Sequence, residues 1–371
     1  MPPDKDRRVA ELDGLRGVAI LLVLWHHSVE WYLPLNSAHL VGWLRAGSCL
    51  SWSGVDLFFV LSGYFIGGIL IDQRESPRLI RTFYVRRAFR ILPLFYFTLA
   101  ILLVAAAAHL MDATQLSPSW VYGLFLSNFT MAWLNTWDWA PLSVLWSLAV
   151  EEQFYLTAPW LVRWIPTRRL PLLLLCLIAG AWLLRISIHL TQPGNTLAPR
   201  VLMPARMDTL ALGALLAWAV RTESAGPFIR RLTDTWKWWS VASVALVFLA
   251  AVNYFLGIDY VTNCYGYSVL AFSYALLVAV VAVVRPPWLV SLLSSPLPTS
   301  FGRYSFFIYL WHIPISSLVV RWLWGRNEFI LQSQASYAIM LSGLAATWLA
   351  GMASWKIFES PLLRLGHRSR Y

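Results

Sequence analysis

An arginine and a histidine eleven positions apart, Arg16 and His27, are the first residues in this chain with chemistry to offer. They lie in LDGLRGVAILLVLWHHS, an apolar run that reads as a helix. Residues of an α-helix are about 100° apart, so eleven of them close nearly three turns. Both side chains then share one face, about 16 Å apart along the axis. Asp13 falls within about 40° of that face, whereas His26 points about 80° away. The stripe joins a carboxylate–guanidinium pair at one end to the His27 imidazole at the other. A neutral imidazole so placed is suited to taking a proton from a hydroxyl. The plainer reading is a histidine pair that hydrogen-bonds neighbouring helices; ionisable residues inside apolar spans more often mark function.

Three further clusters carry charge into apolar surroundings. GVDLFFVLSGYFIGG holds Asp56 near its start, at a depth matching His27 when both helices are counted from their outer ends. A carboxylate there would fix the imidazole tautomer and stabilise its charged form; the alternative is that Asp56 faces the outer headgroups. Gly63, Gly67 and Gly68 of the same run permit close helix approach. In RTFYVRRAFRILP, Arg86 and Arg90 share a helix side, and two guanidiniums so placed suit bidentate phosphate binding. Arg74, Arg78 and Arg81 read as ordinary membrane-surface anchors. LWSLAVEEQFYL sets Glu151, Glu152 and Gln153 inside a span, where bare carboxylates need a partner or a polar cavity. Glu151 and Tyr155 share a face, and both catalysis and pairing with an arginine of another helix fit Glu151. Arg206 and Asp208 read as a pair at a helix mouth, and His312, in FGRYSFFIYLWHIP, as a structural hydrogen-bonder ranked below His27.

The elements that position these residues are membrane helices. Hydrophobic residues make up 58% of the 371 and charged ones only 13%, far from a soluble domain's balance. Trp and Tyr, 22 and 15 of them, suit aromatic belts at two interfaces. The net charge of +11 does not point to nucleic acid, because the Lys and Arg sit between apolar segments and not on one soluble face. MPPDKDRR before the first run lacks a small-residue cleavage site, which reads as an uncleaved first helix.

Eleven apolar runs lie between residues 14 and 358. Basic clusters at Lys5/Arg7/Arg8, Arg74 to Arg90, Arg163 to Arg169, Arg221 to Lys237, Arg285 and from Lys356 onward mark the inner side, while Arg45, Arg200, Arg206, Arg321 and Arg326 are sparse by comparison. Three runs lie between the clusters at 74–90 and 163–169, where the number of crossings must be even. The short 119–134 run, with Ser127 and Asn128, is the one that does not span and reads as re-entrant or interfacial. The expectation is an all-α integral membrane protein of about ten transmembrane helices, one domain over 1–371, with both termini cytoplasmic. Cys49, Cys176 and Cys264 show no metal-ligand spacing, and unpaired thiols are expected over a Cys49–Cys264 disulfide.

Together these stretches resemble acyltransferase family 3, bacterial integral-membrane O-acyltransferases, over 9–365 and in the family's order. The family's Arg-x10-His pattern falls on Arg16 and His27, its RxxxR motif on Arg86 and Arg90, and its VExxFY element on Val150, Glu151, Phe154 and Tyr155. Its SGF element stands here as Ser62-Gly63-Tyr64, with Tyr in place of Phe. The resemblance is to the form without an added periplasmic esterase-like domain. It implies transfer of an acyl group, usually acetyl, from acyl-CoA as co-substrate, with no bound cofactor and no metal, to a hydroxyl of a carbohydrate or a lipid-linked or surface glycan at the inner membrane. On this reading His27 is the base with Asp56 or Glu151 as its carboxylate partner, and Arg16, Arg86 and Arg90 meet the donor. The main competing class is a transporter or flippase, against which stand the lack of an inverted repeat and of paired broken helices.

Overall fold

Helices account for all regular structure among the residues described by the computed structural model, 10–33, 48–110, 116–325 and 329–371. Lys5, Arg7, Arg8, Arg45 and Arg326, used above to orient the chain, lie outside them. In chain order the main helices are α1 (Ala10–Ser28), α2 (Gly54–Asp72), α3 (Leu79–Ala107), α4 (Ser127–Leu134), α5 (Leu145–Trp164) and α6 (Leu170–Thr191). They continue as α7 (Met207–Arg221), α8 (Gly226–Phe255), α9 (Tyr267–Ala279), α10 (Pro296–Trp324) and α11 (Gln334–Ser354). Seven helical segments, built on α2, α3, α6, α8, α9, α10 and α11, are long and apolar enough to cross a membrane. Their outward faces bear large exposed apolar side chains such as Leu183, Phe248 and Trp322, the pattern of a protein solvated by lipid.

Three more helices lie among these seven and are set apart by charge or length. Glu11, Asp13 and Arg16 interrupt α1, and Glu151, Glu152 and Arg163 interrupt α5. α7 has only 15 residues. The charged residues of α1 have ionic partners: Glu11 is ion-paired with the distant Arg285, and Arg16 lies 3.7 Å from Asp13 of its own helix.

α1 packs along α10, and α2 packs along α7. Both interfaces close backbone to backbone. A Cβ on Gly302 would run into the Asp13 carbonyl, and one on Gly17 into that of Pro298. Across the second seam, Gly63 meets the Leu210 carbonyl and Gly213 that of Val60. In lipid no hydrophobic effect presses helices together, so this close fit supplies the association. The glycine seam of α1 and α10 brings the end of α1 that carries His27 against the middle of α10, which carries His312.

The 119–134 stretch is broken into two short helices, Ser119–Gly123 and Ser127–Leu134, too short to cross a membrane one by one. Phe125, between them, has a positive φ. Its freed carbonyl accepts from Gln153 Nε2 at 2.9 Å, and Gln153 also donates to Asn128 Oδ1 at 3.0 Å. A polar residue of α5 thus satisfies backbone that water would otherwise have to reach. Cys49, Cys176 and Cys264 are all free thiols.

Candidate functional site

His27 stands on the last turn of α1, with Nδ1 3.0 Å from the Val23 carbonyl one turn back. A carbonyl only accepts, so Nδ1 carries the proton and Nε2 presents a lone pair. Three rings pack edge-on around it: His26, Trp31 and His312, with centroids 4.8, 4.7 and 4.9 Å away. His26 is engaged elsewhere. Its Nδ1 lies 2.9 Å from Glu30 Oε2, which Ser51 also bonds.

The Asp56–His27 contact expected from depth is not formed. Asp56 is fully buried and ion-paired with Arg206. An arginine is always charged and offers several donors, so it outcompetes a neutral imidazole for a buried carboxylate. The tautomer of His27 is set by its own backbone instead.

A cavity of about 340 Å³ opens at this end of the molecule, walled by His27, Trp31, Trp52, Trp146, Asp56 and Arg200 among others. The Arg200 guanidinium lies over the Trp52 and Trp137 rings, 5.0 and 5.2 Å from their centroids. An apolar, aromatic wall with a few convergent polar groups is the usual build of a small-molecule site.

Toward the other end of α1 lies a second cavity of about 90 Å³, bounded by Arg16, Ser62, Arg87, Arg90, Glu151 and Tyr155 among others. A third, about 40 Å³, again touches Arg16 and Arg90 and adds Asp13, Arg303 and Glu359. Val55 and Tyr309 belong to the walls of both the first and the second cavity. The three spaces therefore lie in series, from Arg303 and Glu359 past Arg16 and Arg90 to Tyr309 and then His27. The Tyr309 hydroxyl is fixed at this joint, 2.9 Å from the Val144 carbonyl and 2.5 Å from Ser147 Oγ.

Glu151 is held by a hydroxyl and not by an arginine: Ser62 Oγ donates to it at 2.5 Å and lies 3.1 Å from the Tyr155 hydroxyl. Arg16 covers the Phe65 ring at 4.5 Å. Arg86 is not part of the cavity wall. Its Nε donates to the Ser369 carbonyl at 3.0 Å, and its guanidinium covers the Tyr371 ring at 4.6 Å. Arg87, passed over in the sequence, stands in the wall beside Arg90.

Arg206 and Asp208 are not a pair at a helix mouth. Both are buried, and each reaches a different helix. Arg206 takes Asp56 of α2, while Asp208 takes Arg185 of α6 at 2.7 Å and Ser268 of α9 at 2.7 Å. Arg206 also lies over the Tyr267 ring at 4.1 Å. Two desolvated ion pairs thus link α2, α6 and the start of α7 behind the large cavity, and the Ser268 hydrogen bond adds α9. Arg185, midway along an apolar helix, carries the signal of an intramembrane charge in the sequence itself; Tyr309 and Ser147 carry none, since a hydroxyl costs little there. No cluster of His, Cys, Asp or Glu among the described residues is arranged to hold a metal ion.

Comparison with known proteins gives a consistent set of relatives. A family model described as an acyltransferase domain matches residues 9–353. The O-acetyltransferase OatA of Staphylococcus aureus strain NCTC 8325 is 27% identical over 386 residues, covering 98% of this chain and 58% of the relative. OatA of strain MRSA252 matches to the same extent. Another protein from strain COL is 25% identical, again over 98% of this chain and 58% of its own length. The chain thus spans less than two thirds of the length of these relatives. No solved structure gives a significant match.

Proposed function

Since the chain belongs to the acyltransferase-domain family, we propose that it is a membrane O-acyltransferase that uses His27 to acylate a carbohydrate hydroxyl. The donor is acyl-CoA, in the first instance acetyl-CoA, and the acceptor a glycan, free or lipid-linked. The observation that carries this reading is the series of cavities joining the arginines to His27 through shared walls at Arg16, Arg90, Val55 and Tyr309.

The chain is read as crossing the cell's inner membrane ten times, by the seven apolar segments together with α1, α5 and α7, with 119–134 re-entrant and both termini cytoplasmic. Arg303, Arg16, Arg87 and Arg90 then mark the cytoplasmic mouth, where the donor's phosphates find guanidiniums. The nucleotide stays at that mouth, since the inner spaces are small, and the thin thioester arm passes Glu151 and Tyr309 toward His27. The acceptor enters the aromatic cavity from the outer side, where indole faces suit sugar rings.

The chemistry needs one proton moved twice. Nε2 of neutral His27 takes the proton of the acceptor hydroxyl while its oxygen attacks the thioester carbonyl. The carbon–sulfur bond breaks, and the imidazolium returns the proton to the departing thiolate. A protonated ring cannot begin this cycle, so activity falls as pH drops through the histidine range.

Membranes carrying wild type or His27→Ala, incubated with radiolabelled acetyl-CoA and a glycan extract, test the reading. The expected loss in the variant is about 100-fold or more, with a wild-type profile that declines toward about pH 5. Equal transfer by both proteins, or a flat profile to that pH, would remove His27 from the role. Failure of the wild type to bind CoA at all would turn the reading toward transport.

A further inference from the structure

His312 is a buried titratable residue that the mechanism above leaves unused. It is 1% exposed, stands on α10 at the end of the glycine seam, and faces His27 ring to ring at 4.9 Å with the planes at 61°. Its Nδ1 lies 2.8 Å from the Tyr309 carbonyl and 3.1 Å from that of Ile308. As with His27, a carbonyl partner requires Nδ1 to be the protonated nitrogen. Nε2 is then a lone-pair acceptor, and it is buried with no hydrogen-bond partner among the described residues. A buried acceptor left open costs free energy comparable to a lost hydrogen bond, so the site is built for a state in which positive charge or a donor is present nearby.

The proposed reaction makes such a state. When His27 takes the acceptor's proton it becomes an imidazolium inside a low-dielectric bundle, where fixed dipoles act strongly. The other groups around it are uncharged, positive or already engaged with partners of their own. His26 is bound to Glu30, Asp56 is neutralised by Arg206, Trp31 is uncharged, Arg200 in the shared cavity wall is itself positive, and Asp138 in the same wall is tied to Ser117 by two hydrogen bonds. Tyr309, next to His312 with centroids 6.1 Å apart, has its hydroxyl committed to Val144 and Ser147.

We propose that His312 is a positioning residue for the transfer step, whose backbone-locked imidazole turns an unpartnered Nε2 acceptor to the service of the His27 imidazolium. This rests on His27 being the base. His312 gains and loses no proton in the cycle; the proton travels only from acceptor hydroxyl to His27 to thiolate. In the resting enzyme both rings are neutral, and the open acceptor on His312 is the cost of a site preorganised for the charged intermediate.

The test is the pH profile of kcat for purified wild type, His312→Phe and His312→Gln, with acetyl-CoA binding as the check on folding. Phe keeps a ring without an acceptor; the Gln amide keeps both an N–H and an acceptor oxygen. Stabilising the imidazolium raises the pH at which His27 protonates, so removing that help moves the acid limb to lower pH. For His312→Phe, kcat should fall about 10- to 100-fold, with the acid limb displaced downward and KM for both substrates little changed. His312→Gln should recover part of kcat and place the limb near that of wild type. An unmoved or upward-moved limb in His312→Phe, or, should that variant fail to fold, a His312→Gln with the limb displaced upward or with wild-type kcat lost entirely, overturns the proposal. Either result leaves the base role intact if His27→Ala is inactive; full activity of His27→Ala defeats the base role itself.

Discussion

The tautomer of His27 is decided by the carbonyl of Val23, a neighbour on its own helix. The spacing of Arg16 and His27 sets His26 about 80° aside, but neither the Val23 carbonyl nor the Glu30 carboxylate that His26 meets is legible in it. The carboxylates are another matter. Asp56 is matched with Arg206, 150 residues away, and Asp208 with Arg185. Such pairs depend on which helices become neighbours, so no periodicity within one helix reveals them. Arg86 and Arg87 make the same point at closer range. Positions three and four apart both share a helix side, and the choice between them is made by residues Ser369 and Tyr371, which draw Arg86 away. The buried pairs have a measurable consequence. Asp56→Asn should leave Arg206 as an uncompensated buried cation and cost about 3–5 kcal/mol, read as a lowered midpoint of thermal unfolding in detergent. A combined Asp56→Asn and Arg206→Gln variant should lose less than the sum of the two single changes, and strict additivity would show that the pair contributes nothing.

At the scale of helices, the site depends on how closely α1 approaches α10. The glycines that permit it are visible in the sequence as small residues in apolar runs, but their partners are not. Gly17 and Gly302 close the seam with each other's helix, whereas Gly63 of the SGY element closes α2 on α7. Gly302→Leu changes no charge, yet its side chain would enter the backbone of α1 at Asp13. The two helices would have to part, carrying His312 away from His27 and opening the wall between cavities. Transfer activity should drop at least about tenfold, since misplacement of about 1 Å can cost 100-fold. A control substitution at a lipid-facing position of α10, Leu318→Ala, should have little effect, because that residue is exposed. Equal activity of Gly302→Leu and wild type would mean that the seam does not hold the site. The break at 119–134 was legible from its length and its Ser and Asn. That Gln153 would satisfy it was not, because Gln153 lies on a different helix.

For the molecule as a whole, composition announces the bilayer, and seven helical segments meet that description in full. The three helices that do not, α1, α5 and α7, are the ones that bring Arg16, His27, Glu151 and Asp208 inside. Polarity at these positions weakens the membrane signal for the same reason that it makes a site. The resulting arrangement sets Arg16, Arg87, Arg90 and Arg303 near one end of a string of cavities and His26 and His27 near the other. Its central consequence is sidedness. The most direct measurement reconstitutes wild type and His27→Ala into sealed vesicles with one orientation, supplies radiolabelled acetyl-CoA only on the side of the arginine mouth, and recovers a glycan acceptor confined to the other. Label on the acceptor with wild type and none with His27→Ala is the expected result. Label that reaches the acceptor equally with both proteins, or only when acetyl-CoA is supplied on the acceptor's side, would contradict it.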